Sequence, residues 1–419
     1  MITFVTLLLG LTTGVWPIEV AVGPGVAAVE LRLDGRTVAT LTQAPWKASV
    51  NLGPEPEPHE LLAIGRDAAG AEIVRARQMV NMPRPPAEAS LILLPGSGGR
   101  ARRARLSWQS SLRLPPERIA VTFDGRPVPL EPSREIALPD YVPDQVHFLR
   151  ADLDFPDNLV ASAEIIFGGH DVDEARTELT GIPALFTGAR RTAADLGGAF
   201  LTDGKPAHVS AVEEGPGEIV VVRDEEALMP LRQLKTGLIR DRNLRPRQKI
   251  RFCWPVTRPA DEVSEGYDIF MRSGDVIAKS GGLHALLTIP KAPAVSKEPR
   301  FADAISVAAL SASGRNRARA VLFLYGGSPD ASRLAPEVVR RYLAKLRVPL
   351  YVWAVDGPSA RKAKRWGKVS LVRDTESFLE AGRRLLDDVA AQRIVWVDGV
   401  HLPQTITLSP KASGIRIAE

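Results

Sequence analysis

A single cysteine stands in a chain of 419 residues. Cys253, inside "IRFCWPV", has no partner, so an intramolecular disulfide is excluded and the residue is expected to pack as a small buried hydrophobe. Histidine is scarce too, six in all. His59, His147, His208, His284 and His401 stand apart in sequence with no metal-ligand spacing between them. Only "GGHDVDE", with His170, Asp171, Asp173 and Glu174, gathers ligand types, and it matches neither an EF-hand loop nor a His-Glu-x-x-His zinc site, so an exposed turn is expected. Beyond the first few positions no apolar run reaches the roughly 18 residues of a membrane span.

Charge is plentiful. The net charge is +5, with basic clusters at Arg100 to Arg105, Arg240 to Arg251 and Arg361 to Lys368. None is interleaved with aromatics or carries a nucleic-acid motif, so solvated surface is expected and no specific nucleic-acid partner. At 45% hydrophobic and 25% charged the composition is globular, and the length suggests two or three domains. The apolar start, Ile2 to Leu11, has the length of a signal-peptide core but lacks a preceding cation and a small-x-small cleavage site. A strand Ile2 to Thr6, a turn at Gly10 to Gly14 and a strand Ile18 to Val22 are expected instead.

The first half reads as β-structure. "VELRLDGRTVATL" alternates apolar Val29, Leu31 and Leu33 with polar residues, turns at Asp34-Gly35 and resumes, the pattern of a hairpin needing positive φ. The same pattern returns at "IAVTFDGRPVPL", with Ile119, Val121 and Phe123 before Asp124-Gly125-Arg126. This repeat predicts two antiparallel, Ig-like β-sandwich modules, at 1–83 and 84–198. "AFLTDGKPAHVSAVEEGPG" reads as a connecting hairpin, 199–217. From Glu218 strands and helices alternate: "EIVVV", a helix from Glu225 to about Arg240, "KIRFCWPV", "PRFADAISVAALSAS", "RAVLFLYGG", a helix with the apolar stripe Leu334, Val338, Val339, Tyr342, Leu343 and Leu346, then "PLYVWAV", "KVSLV", a helix Thr375 to Ala391, and "RIVWV". That order predicts an α/β doubly wound (Rossmann-like) domain at 218–400 with a parallel sheet, followed by a tail, 401–419, with a possible extra strand.

Ligands of open α/β sheets bind at the carboxyl ends of strands. Here those ends are Arg223-Asp224-Glu225-Glu226 and Tyr325-Gly326-Gly327-Ser328. The lead-in "TDGKPAHVSAVEEGPGEIVVVRD", the segment "FADAISVAAL…RARAVLFLYGG" and "LRVPLYVWAVDG" resemble a von Willebrand factor A domain, and the whole chain resembles bacterial VWFA-related proteins with β-rich modules ahead of that domain. The resemblance implies a divalent ion held by Asp-x-Ser-x-Ser after the first strand, a middle-loop threonine and an aspartate after the central strand. Asp224 matches the leading aspartate. Glu226 and Leu228 stand where the serines would be, Pro299 falls near the threonine, and Gly326 replaces the second aspartate. With one ligand in five kept, no metal and no cofactor are expected, and Asp224 is expected to cap the helix that follows it.

"YGGSPDAS" lacks both the Lys-Ser/Thr ending of a P-loop and the Gly-x-Ser-x-Gly elbow. The function expected is therefore non-enzymatic: a scaffold that binds other proteins, with Trp366 and Arg365 in "RKAKRWGK" as partner-binding candidates. The alternative is an α/β hydrolase or phosphate-handling enzyme using Asp224, Ser328 and His284. By resemblance alone an extracytoplasmic place is implied.

Overall fold

The computed structural model describes every residue except 1, 7, 9, 84–86, 95–101, 111–114, 143, 144, 146, 157, 158, 168–178, 189, 190, 235–247, 259–269, 274, 275, 278–281, 290–297, 315, 316 and 411. The chain divides into two compact units, Arg84–Glu178 and the rest.

Strict alternation makes the first sandwich. β1 (Ile2–Phe4), β2 (Val15–Val22), β3 (Ala28–Leu33), β4 (Arg36–Leu41), β5 (Lys47–Asn51), β6 (His59–Arg66) and β7 (Glu72–Val80) form two antiparallel sheets, β1-β2-β5 and β4-β3-β6-β7. Every second residue points between them, and Phe4, Ile18, Val20, Val29, Leu31 and Leu61 form the core. The hairpin from β3 to β4 turns at Asp34 and Gly35, both left-handed at φ 51° and 77°, as a type I′ turn requires.

Residues 84–178 repeat this plan. β8 (Ala87–Leu94), β9 (Arg103–Ser110), β10 (Arg118–Phe123), β11 (Arg126–Pro127), β12 (Glu135–Ala137), β13 (His147–Phe155) and β14 (Leu159–Phe167) pair as β12-β9-β8 and β11-β10-β13-β14, the same connectivity strand for strand. Asp124 and Gly125 again take left-handed φ, 48° and 76°.

A third sandwich is discontinuous. β15 (Leu179–Phe186), β16 (Phe200–Thr202), β17 (Lys205–Pro206) and β18 (Val209–Glu213) are completed by the last three strands of the chain, Arg393–Asp398, Ile406–Leu408 and Ile415–Ile417. Four strands, β18, Arg393–Asp398, β15 and Ile415–Ile417 in that order, face three, β17, β16 and Ile406–Leu408. Ile182, Phe200, Val395, Val397 and Ile406 fill the space between them. This differs from the expected division. Leu179–Phe186 pairs antiparallel with Arg393–Asp398 rather than with the second module, and "RIVWV" belongs to this sandwich rather than to the parallel sheet. A short apolar run looks the same in either sheet type, so periodicity does not separate them.

Inserted between β18 and Arg393 is an α/β layer. β19 (Gly217–Arg223), β20 (Gln248–Thr257), β21 (Phe270–Arg272), β22 (Val276–Ile277), β23 (Ala318–Tyr325), β24 (Leu350–Ala354) and β25 (Val369–Leu371) form one sheet. Five of them run parallel in the order β20-β19-β23-β24-β25, with β21 and β22 antiparallel on β20. β19 and β23 are buried along their whole length, which is why they read as unbroken apolar runs. Val220 and Val222 face the helices Phe301–Ser313 and Pro336–Lys345; Ile219 and Val221 face the helix Thr375–Ala391 and the turns at 227–234 and 283–286.

Arg319, on β23, is fully buried, and burial pushes its pKa down to about 10. Its guanidinium donates to the carbonyls of Ser313, Leu346 and Arg347, each at 3.1 Å. These are the C-terminal carbonyls of two helices, whose partial negative charge replaces a carboxylate partner. The first sandwich seats on one of those helices. Arg341 and Lys345 pair with Glu55 and Glu57, each at 2.5 Å, and the Tyr342 hydroxyl donates to the Asn81 carbonyl at 2.8 Å.

Candidate functional site

The strand-end loops converge on Asp224. β19 and β23 stay in register to Arg223 and Leu324, and the Asp224 amide donates to the Leu324 carbonyl at 2.8 Å, which carries the pairing one step past the strand. Asp224 then takes an extended conformation and caps the turn Glu225–Ala227. Its carboxylate is 3% exposed and accepts four hydrogen bonds. Oδ1 receives the Glu226 amide at 3.2 Å and the Ser328 hydroxyl at 2.7 Å; Oδ2 receives the Gly326 amide at 2.9 Å and the Ser328 amide at 3.1 Å.

Gly326 is required by contact rather than by φ. A Cβ there would stand 2.2 Å from the Ala227 amide nitrogen, so the backbone of one loop lies directly on the backbone of the other. Gly327 supplies the turn with φ 108°. Lys362 donates to the Gly327 carbonyl at 2.9 Å, and the Tyr325 hydroxyl to the Ser328 carbonyl at 2.9 Å. Burial, then the charges of Asp224 and Asp330, raises the Tyr325 pKa.

The remaining positions of the expected ion site do other work. Glu226 is exposed, Leu228 is buried in the core at 7% exposure, and Pro299 accepts the Ala331 amide at its carbonyl, 2.9 Å. A divalent ion needs several oxygens with lone pairs turned to one point. Here two of the five positions offer no side-chain oxygen, a third is glycine, and the one buried carboxylate is saturated by N–H and O–H donors, so the residues do not fit the ion. Among the described residues no group of three His, Cys, Asp or Glu side chains is placed to hold a metal; "GGHDVDE" lies outside them.

Further polar residues, not singled out by sequence, close the same end of the sheet. Asp330 caps the helix Phe301–Ser313 from a distant loop, accepting the Phe301 amide at 2.9 Å. Asp303 accepts the Arg333 and Leu334 amides at 3.1 Å and the Arg300 guanidinium at 2.5 Å. Arg223, fully buried, donates to Glu225 at 3.0 Å and to the carbonyls of Leu286 and Ile289 at 2.9 Å, and lies 4.9 Å from the Trp254 ring centroid. Burial lowers its pKa and Glu225 opposes the change. The local sequence signals for these links are the Asp-x-Ser turn at Asp330-Ala331-Ser332 and the short spacings of Arg300 to Asp303 and Arg223 to Glu225.

An open cleft of about 350 Å³ adjoins this end, lined among others by Glu226, Met229, Arg232, Leu287 and Ile289. The Ser328 hydroxyl donates to Asp224 Oδ1, and among the described residues the His284 ring makes no hydrogen bond to either. Trp366, expected as an exposed anchor, is 5% exposed and packs edge-on against Phe323 at 5.2 Å. Its apolar ring fills the space under the turn, leaving Arg365 at the surface, 3.7 Å from Glu337. Cys253 is buried, as expected.

No protein-family model matches the chain, and no curated protein matches it. Among solved structures, the Clostridium thermocellum CbhA fibronectin(III)-like modules match 19% of this chain and 93% of their own at 16% identity, with a TM-score of 0.18. Proximal thread matrix protein 1 from the mussel byssus matches 49% of this chain and 50% of its own at 12% identity and 0.28. The central fibronectin-III array of RIM-binding protein matches 49% and 78% at 14% identity and 0.22. At these values none of them bears on function here.

Proposed function

We propose that this chain is a non-enzymatic, protein-binding scaffold whose α/β layer is a von Willebrand A-like, doubly wound domain without its metal-ion-dependent adhesion site. The strand order β20-β19-β23-β24-β25 with helices on both faces supports the fold part of this reading. The observation that carries the functional part is Asp224. Its two oxygens are engaged by the adjoining loop through Gly326 and Ser328, which replaces the bridge a bound ion would make between the same loops. The chain thus keeps the closed geometry of the strand ends permanently and contacts partners through its surfaces. Beside the buried Trp366 ring, the exposed side chains of Lys364 and Arg365 form a basic rim.

Calorimetric titration of the full chain with Mg²⁺, Mn²⁺ and Ca²⁺ tests this, with Asp224→Ala as control. No heat of binding is expected from any of the three. Binding tighter than millimolar that Asp224→Ala abolishes would overturn the metal-free reading. Hydrolysis of ester or phosphoester substrates that Ser328→Ala abolishes would replace the scaffold with an enzyme.

A further inference from the structure

Two histidines that stand alone in sequence are held identically in two sandwiches. His59 is the first residue of β6 and His147 the first residue of β13; they are 8% and 6% exposed. His59 Nδ1 faces Asp34 Oδ2 at 2.7 Å and Nε2 faces the Leu52 carbonyl at 3.1 Å. His147 Nδ1 faces Asp124 Oδ2 at 2.7 Å and Nε2 faces the Val142 carbonyl at 2.9 Å. Each aspartate is the first of the two left-handed residues of its Asp-Gly turn, and its second oxygen accepts the amide that follows the histidine, Glu60 at 2.9 Å and Phe148 at 2.8 Å.

A neutral imidazole carries one N–H and cannot donate from both nitrogens. In both sandwiches both nitrogens face acceptors, a carboxylate and a main-chain carbonyl. At His59 only the imidazolium paired with an ionised aspartate satisfies every group, and loss of its proton leaves the carbonyl of buried Leu52 without this donor; the Val142 carbonyl facing His147 lies on an exposed residue and also accepts the Gln145 amide at 3.0 Å. The third sandwich provides an internal contrast. Thr202 pairs with Ile406 as Leu33 pairs with Leu61 and Phe123 with Leu149. Two residues before each of those partners stand Gln404, His59 and His147. The Gln404 side chain, which does not titrate, donates instead to the Pro58 carbonyl at 2.9 Å.

We propose that His59 is a proton-held clasp for the loop that precedes it, and that through it the seating of the first sandwich on the helix Pro336–Lys345 depends on pH. The loop fixed at Leu52 carries Glu55 and Glu57, the partners of Arg341 and Lys345, and it ends at Pro58, where Gln404 attaches. Asp34 from the hairpin and Glu57 from the loop are the charged groups acting on His59, and Glu55 lines the same cavity of about 320 Å³. Asp124, with Arg126 beside it, acts on His147, whose ring stacks on Phe123 and meets Tyr141 and Phe167.

Burial is the largest influence on His59 and pushes its pKa down, but the Asp34 hydrogen bond and charge, the Leu52 carbonyl and Glu57 outweigh it, so the pKa is raised. A raised histidine pKa gives stability that is complete below about pH 6.5, its unfolded value, and lost as pH rises through the folded value. For Asp124, burial pushes the pKa up, yet the His147 and Phe148 bonds prevail and lower it. The Asp124–His147 pair therefore loosens in acid, as pH falls through that lowered value.

The test uses the full chain and its His59→Gln variant. Histidine ¹⁵N spectra against pH report the charge of the ring, and hydrogen exchange reports opening of 51–58 and 336–345. His59 is expected to titrate above about 6.5 with both nitrogens protonated below that point. Relative to the variant at each pH, opening of the loop rises up to about tenfold per pH unit between 6.5 and the folded pKa. A neutral His59 ring at pH 6, or an exchange step of equal size in His59→Gln, overturns the proposal. Should that variant fail to fold, Asp34→Asn serves: the His59 pKa falls by about one unit or more, and an unchanged pKa overturns the proposal equally.

Discussion

The first and third sandwiches both set three strands against four, yet they are built in opposite ways. The first takes its seven strands from one continuous stretch, Ile2–Val80, and joins β3 to β4 and β6 to β7 by short turns. The third takes four strands from 179–213 and three from 393–417, with the whole α/β layer threaded between. Such an insertion is tolerated because loop-closure entropy grows only with the logarithm of length and because its two ends lie together. A Cβ on Gly215, in the entry tether, would meet Ile394, in the exit strand, at 3.0 Å and the Ala318 amide at 3.4 Å. The difference teaches that one architecture can be a local unit or a clamp. Opening the third sandwich frees both ends of the parallel sheet, whereas the first is a unit seated on one helix.

The sharpest way to break this comparison is a charge in the clamp. Val395→Asp buries an unpaired carboxylate in the third core and is expected to cost about 4 kcal/mol or more, with loss of hydrogen-exchange protection spreading through 179–419. Leu31→Ala, in the first core, should cost about 3 kcal/mol with the loss confined to 1–83. Equal spreading in both variants would make the two sandwiches energetically alike. Gly326→Ala comes next, at about 3 kcal/mol, because the methyl group must displace the Ala227 backbone. Its denaturation midpoint should fall while the first sandwich keeps its own protection, and an unchanged midpoint would show that the two loops do not close on each other. The smallest effect belongs to Arg341→Ala, a surface pair whose contribution should vanish at about 1 M salt.

Much of the β-grammar was open to reading. The Asp-Gly turns announced two hairpins of one design, since few residues accept the left-handed φ that such a turn imposes. The parallel strands announced themselves as runs buried on both faces. Asp224 was legible as a cap, because a cap bonds amides two residues on; its bonds to Gly326 and Ser328, about a hundred positions away, left no local trace. The same distance hid the two histidine–aspartate pairs, whose members lie 25 and 23 residues apart. Trp366 was misjudged for a related reason. Its basic neighbours suggested exposure, but alternation within a single turn of helix puts a lone aromatic inward while the cations point out.

What the sequence by itself determined is whatever acts between near neighbours: turn chirality, strand and helix period, and the absence of side-chain oxygens at Leu228, Pro299 and Gly326. Only the tertiary structure decided which strands share a sheet, that the last residues of the chain complete a sandwich begun before the α/β layer, and that Asp224, His59 and His147 are saturated. The physical reason is that a hydrogen bond or a core contact depends on distance in space, and folding brings together residues whose separation along the chain carries no mark of the meeting.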